Sequence, residues 1–432
     1  ITTNQGMMIL GHLYICIHFC PISENILKIH SKLDSITNKL NYQYNIKNIT
    51  YMKFLSKITI LSLGIAAVFA SCNGNQNESK KADSPITNSE HTFRLENGVN
   101  VSHWLSQSPL RGEERRNLIT KKDFDSIAAI GFDHVRIPID EEQMYDENMN
   151  RQEEAFALLN NAIQWSIENN LRVIVDLHIV RSYHFNNENE ATNSLFENRS
   201  AQEKVFSIWS DLQKELKKYS TDSVAYEFLN EPKAPTCQQW NELIGEFIDR
   251  IRKEEPDRYL VIGSNWWNSP GTIDSLSIPE NEKKVILSFH FYTPALITHY
   301  RAPWNNETNF YTDKVDYPGQ IIKDTSCFEK YTEEQRIKLR RQNFNAEIDS
   351  LYPLIAKLTK FTDSLGVQLN CGEFGAYPYF IDKEIRLRWY EDMVGTFNKF
   401  NISATHWCYK GDFPVVNEDG SANELPAILL KD

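Results

Sequence analysis

Val-Ala-Tyr-Glu-Phe-Leu-Asn-Glu-Pro, residues 224–232, is the stretch that decides the fold of this chain. An apolar run from Val224 to Leu229 stops abruptly at Asn230, Glu231 and Pro232. A buried strand that delivers a carboxylate at its C-terminal tip is an unusual use of Glu, because carboxylates are rarely buried without a partner. The same thing happens downstream, where Val367, Leu369 and Cys371 lead into Gly372-Glu373-Phe374-Gly375.

Outward from these two stretches, β-rich runs alternate with amphipathic helical ones from about residue 96. The runs are Gly98–Ser102, His134–Ile139, Arg172–His178, Val224–Glu231, Tyr259–Asn265, Lys284–Tyr292, Gly366–Gly375 and Ser403–Tyr409. Helical patterns fall at Lys122–Ile130, Gln152–Glu168, Gln202–Lys218, Gln238–Lys253, Asn345–Ser364 and Lys383–Lys399. Phe156, Leu159, Ala162, Ile163 and Ile167 show the three- and four-residue steps. Repeated βα units imply parallel strands, and eight of them imply a closed (β/α)8, or TIM, barrel. An open doubly wound sheet is the alternative, but no Gly-x-Gly-x-x-Gly follows the first run. The link from Phe291 to Glu333 holds no clear helix, and it should lie at the functional mouth of a barrel.

The chain has 432 residues, 41% hydrophobic and 12% aromatic, with nine Trp and a formal net charge of −12. One large domain, 93–432, is within reach of that length. The acidity argues against a nucleic-acid partner, and nothing calls for a second copy, so a monomer is expected. The seven Cys form no Cys-x-x-Cys pair. Cys371 and Cys408 would be neighbours on adjacent strands, either paired or as small buried thiols.

Residues 52–71 read as an export signal. Lys53 and Lys57 are followed by the apolar stretch Ile58 to Phe69, which is too short for a comfortable membrane span. Phe69-Ala70-Ser71-Cys72 resembles a lipoprotein signal, with Cys72 lipidated and anchored to the cell envelope; plain secretory or periplasmic export is the alternative. Residues 1–51 are then expected to be an over-extension of the gene model. Without the +4 carried by residues 1–71, residues 72–432 hold a net −16. Residues 72–92 are polar and read as a flexible tether.

In a barrel the functional side chains collect at the C-terminal ends of the strands. Those ends carry His103 and Trp104, Arg136, Asp176 and His178, Asn230 and Glu231, Trp266 and Trp267, His290 and Tyr292, Glu373, and His406 and Trp407. Two strand-end carboxyl groups on one domain are what glycoside hydrolysis requires. The segments His134-Val-Arg136-Ile-Pro138, Val175-Asp-Leu-His178, Leu229-Asn230-Glu231-Pro232, His290-Phe-Tyr292, Gly372-Glu373-Phe-Gly375 and His406-Trp407 together resemble glycoside hydrolase family 5, a retaining (β/α)8 family that includes cellulases. Phe228 and Lys233 beside the acid motif are atypical.

The resemblance implies Glu231 as acid/base and Glu373 as nucleophile. Arg136 and Tyr292 would keep Glu373 ionised, and Asn230 would bind a sugar 2-OH. His178 and His290 would support the site, and Trp407 would form the innermost sugar platform. For Arg136 the plainer reading is a structural salt bridge, for the two His a satisfied core residue, and for Trp407 a core indole. Trp104, Trp266, Trp267 and Trp304 are candidate outer platforms, and Asp176 an orienting group. No cofactor is implied. No helical His-x-x-x-His pair suggests a metal, and no Gly-rich loop suggests NAD or phosphate. The substrate expected is a β-linked polysaccharide or oligosaccharide, with β-1,4-glucan ahead of β-mannan or xyloglucan. A surface glycan-binding lipoprotein without activity is the rival class.

Overall fold

The computed structural model describes residues 92–186 and 193–431. The expected over-extension, export signal, Cys72 and all but the last residue of the tether lie outside the described residues.

Eight strands form a closed barrel in which every pairing is parallel. They are β1 Asn97–Asn100, β2 His134–Asp140, β3 Arg172–Ile179 and β4 Val224–Glu227. The second half comprises β5 Leu260–Gly263, β6 Val285–Phe291, β7 Gln368–Phe374 and β8 Ser403–His406. Each overlaps one of the eight expected runs. The fourth ends at Glu227, four residues before Glu231. Asn230 and Glu231 therefore stand on the loop beyond the strand, and Glu231 adopts φ +45.

The main crossover helices are α1 Lys121–Ile130, α2 Glu153–Glu168, α3 Arg199–Leu216, α4 Cys237–Arg252, α5 Tyr352–Leu365 and α6 Lys383–Lys399. Several starts are fixed by side-chain caps that satisfy free N–H groups of the first turn. Asn198 accepts from Ser200 and Ala201, Thr236 from Gln239, and Asp382 from Glu384 and Ile385. The helix expected over Asn345–Ser364 begins only at Tyr352. Asn345–Ala346 instead pairs with Gly319–Gln320 in a small antiparallel ladder, and Pro353 sits in the first turn of α5. Between β5 and β6 there is only a turn, Asn265–Asn268, and a 3-10 segment, Pro270–Ser275. Among the described residues no helix is long and apolar enough to cross a membrane.

Two layers fill the barrel. Near the starts of the strands, Ile174, Ala225, Val261 and Ile286 pack with Phe93 and Leu95 in an apolar floor. One step of two residues further along each strand, the same inward face presents Asp176, Glu227, Gly263 and Ser288. The pairing register sets Asp176 beside Glu227. A dry floor thus lies under a polar layer, and the site is built on that layer.

Candidate active site

Arg136 enters the polar layer from the middle of β2 and is fully buried. A guanidinium there needs anions and acceptors on several sides, because an unpaired buried charge is very costly. It finds them. Nε and Nη2 donate to Glu227 at 2.7 and 3.0 Å, a two-pronged contact. Nη1 donates to Glu373 Oε1 at 2.7 Å and to Asn100 Oδ1 at 3.0 Å. Nη2 also reaches Asn230 Oδ1 at 2.8 Å and Asp176 Oδ2 at 2.9 Å. Arg136 is therefore both a structural salt bridge and a partner of Glu373.

Above it, His290 bridges the two carboxyl groups singled out in the sequence. Its Nδ1 lies 2.8 Å from Glu231 Oε1 and 3.5 Å from Glu373 Oε2. Donor atoms of Glu231, His290 and Glu373 all fall within 4.8 Å of one another. That spacing would suit a cation; it equally suits two carboxyl groups working on one bond. Tyr292 donates its hydroxyl to Glu373 Oε2 at 3.0 Å. Asp176 orients His178 by a 2.7 Å bond to Nδ1, leaving His178 Nε2 without a protein partner. Asn230 uses its oxygen on Arg136 and leaves Nδ2 as an unpartnered donor.

Burial sets the proton affinities. Glu231 is pushed up to about 8 by loss of hydration, against the pull of Arg136. Burial raises Glu373 to about 7, with His290 and Arg136 opposing. The expectation that Arg136 and Tyr292 hold Glu373 low is thus met in geometry but opposed by burial. Asp176 is raised to about 7, again by burial. His290 is lowered to about 4 by burial, and His178 well below its ordinary value by burial and the Arg136 charge. Glu231 remains the weaker acid of the bridged pair.

The groups open into a cleft of about 1300 Å³. His178, Glu231, Tyr292, Glu373, Trp407, Trp266, Trp267 and Trp304 all line it. Arg136, Asn230 and His290 stand behind this surface. Trp407 is only 6% exposed and lies parallel to His178, with ring centres 5.6 Å apart. Trp266, Trp267 and Trp304 are 42%, 38% and 40% exposed, open enough to take a flat ligand.

Trp104 is a correction. It is fully buried and its indole N–H donates to the Arg115 carbonyl at 2.9 Å, so it is a core residue and no platform. Cys371 and Cys408 are both buried free thiols. Sequence reasoning passed over Glu227, whose signal was an acid inside an apolar strand, two strands along the barrel from the buried Arg136. It also missed Asp412, which meets His103 Nε2 at 3.1 Å on the cleft wall, and Asn268, which bonds His290.

Comparison with known proteins agrees with this geometry. The model of the cellulase family, glycosyl hydrolase family 5, matches residues 89–412. Endoglucanase C of Acetivibrio thermocellus is 31% identical over 346 residues, covering 77% of this chain and 97% of the relative. Cellodextrinase A of Ruminococcus flavefaciens is 27% identical over 309 residues, covering 71% and 83%. Among solved structures, an endoglucanase aligns with TM-score 0.63 at 24% identity, over 79% of this chain and 99% of the other. A hyperthermophilic endo-β-1,4-glucanase aligns with TM-score 0.63 at 22% identity, over 79% and 98%. The barrel, the bridged carboxyl pair and these likenesses converge: the chain belongs to glycosyl hydrolase family 5, the cellulase family, and is a glycoside hydrolase.

Proposed function

We propose that the protein is a retaining endo-β-1,4-glucanase in which Glu373 is the nucleophile and Glu231 the acid/base. The observation that carries this is the spacing of the bridged carboxyl groups, with donor atoms within 4.8 Å. Retaining enzymes hold their pair at about 5–5.5 Å, whereas inverting ones leave about 6.5–9.5 Å for a water.

Glu373 attacks the anomeric carbon as Glu231 passes its proton to the leaving oxygen, giving a glycosyl-enzyme ester. Glu231, now ionised, takes a proton from water. That water attacks the anomeric carbon, breaks the ester and restores both carboxyl groups. Two inversions give net retention. The raised proton affinity of Glu231 suits an acid that must hold its proton near neutral pH. Asn230 Nδ2 donates to the sugar 2-OH, Trp407 packs against the apolar sugar face, and Trp266, Trp267 and Trp304 carry outer sugars. The relatives named endoglucanases support β-1,4-glucan as substrate.

The test is proton NMR of fresh hydrolysate. A newly formed β-anomer that later mutarotates is expected, and an α-anomer appearing first would remove the retaining reading. Reducing-sugar release on β-glucans, β-mannan and xyloglucan ranks the substrates, and no release on any of them would favour a binding role.

The sequence of residues 52–72 supports export with a lipid anchor at Cys72. Cys72→Ser should move the protein from the membrane to the soluble fraction; unchanged partitioning would reject the anchor.

A further inference from the structure

Asn268 is fully buried behind the catalytic pair, and among the described residues its amide reaches only one polar side chain. Nδ2 lies 3.1 Å from Nε2 of His290, while Oδ1 is buried without a partner. It is held there at a cost. Trp266, Trp267 and Asn268 are three consecutive residues with left-handed backbone, φ 59, 58 and 52. Such backbone is costly for residues other than glycine, and it persists at functional sites. Space for the amide exists because β5 ends in Gly263, where an added Cβ would fall 2.2 Å from Asn268 Oδ1.

An imidazole with one proton carries it on Nδ1 or on Nε2, and the partner of one nitrogen decides the state of the other. Donation from Asn268 Nδ2 makes Nε2 an acceptor and puts the proton on Nδ1. Turning the amide over would bury an NH2 group without any partner, whereas the observed setting leaves only a carbonyl oxygen alone. Orphaned buried N–H groups are the rarer of the two. With its proton on Nδ1, His290 can only donate to Glu231 Oε1. The acidic proton of Glu231 is then kept on Oε2. With the proton on Nε2, Nδ1 would accept that acidic proton instead and draw it away from the cleft.

We propose that Asn268 is a positioning residue that fixes the His290 tautomer and thereby points the Glu231 proton at the leaving oxygen. This rests on the acid/base reading of Glu231. The charged and titratable groups facing His290 are Glu231, Glu373, Glu227, Arg136 and His178. None of them except the Glu231–Glu373 side meets Nδ1, and none bonds Nε2, so the amide is the group that sets the ring.

The test compares wild type with Asn268→Asp and Asn268→Ala. A carboxylate at 268 can only accept, so it forces a proton onto Nε2. Expected for Asn268→Asp is a fall of about 100-fold or more in kcat on β-glucan, within the span of general acid catalysis. The alkaline limb of its pH profile should move to higher pH, because the added negative charge and the accepting Nδ1 both favour protonated Glu231. Hydrolysis of an aryl β-glycoside with an acidic phenol, which needs no proton, should be far less affected. Asn268→Ala should fall between. Should either variant fail to fold, long-range 15N NMR of the wild-type His290 ring, assigned with His290→Gln, gives the tautomer directly. A proton on Nε2 in wild type would overturn the proposal. So would an unmoved pH profile with equal losses on both substrates. Wild type inactive on every β-glucan would instead overturn the reading of function on which this depends.

Discussion

Nη1 of Arg136 lies 2.7 Å from Oε1 of Glu373, yet burial pushes that carboxyl up to about 7. The reason is sharing. The same guanidinium serves Glu227 in a two-pronged contact and Asp176 at 2.9 Å, and its field extends to Glu231. Burial works against a positive charge on His290 and His178, so neither ring makes up the shortfall. One cation among four buried carboxyl groups leaves protons bound in the resting site.

The pH dependence of kcat/KM follows. In the proposed roles Glu373 must be ionised, so activity grows as pH rises through about 7, and Glu231 must be protonated, so activity declines as pH rises through about 8. A bell is expected, with its top between the limbs. In Glu231→Gln, assayed on an aryl β-glycoside with an acidic phenol, the alkaline limb should vanish. Its survival there would assign that limb to another group.

Stability should carry the same signature. The folded Glu231 carboxyl lies above its ordinary value of about 4.5, so its contribution is intact below that pH and lost as pH rises through about 8. Gln at 231 has no charge to bury. Glu231→Gln should gain about 4 kcal/mol over wild type between pH 5 and 9, several degrees in Tm. Parallel Tm curves for the two proteins would contradict this.

Arg136→Lys should be severe although it keeps the charge. An ammonium cannot reproduce the planar fork that meets Glu227 and Glu373 together. Leaving buried carboxyl groups unpaired costs about 3–5 kcal/mol, readable as a lower urea midpoint. Activity should fall with it, since Glu373 and Asn230 lose their anchor.

Two tryptophans should behave oppositely. Trp304→Ala removes a 40% exposed ring and should raise KM on polymeric β-glucan about 2- to 10-fold, with Tm nearly unchanged. Trp104→Ala opens a cavity and should destabilise by about 3–5 kcal/mol, with KM unchanged wherever the variant is folded. Equal KM effects in the two would return Trp104 to the cleft.

The barrel was legible because eight β-rich runs are interleaved with six helical patterns, and each strand found overlaps an expected run. Strand ends were less legible. Phe228 and Leu229 are as apolar as the strand before them, yet they are buried beyond it, with Phe228 stacked on Trp240 and Phe247. The carboxyl pair, Arg136, Tyr292, His178 and His290 stood out because polar residues punctuate apolar strands. Trp104 did not, since exposure of an indole beside a strand end is decided by helix packing that no local pattern records. Asn268 and Asp412 were hidden for another reason: they lie on irregular loops whose backbone places them only once the barrel is closed.

Arg136 stands on β2 and bonds groups on β1, β3 and β7, on β4 and on the loop that follows it. A seam left open anywhere among these elements removes at least one of its contacts, and with it the setting of Glu373 or Asn230. The enzyme therefore inspects its own assembly: a chain whose barrel has not shut is silent rather than imprecise, and hydrolysis begins only when the last strand is home.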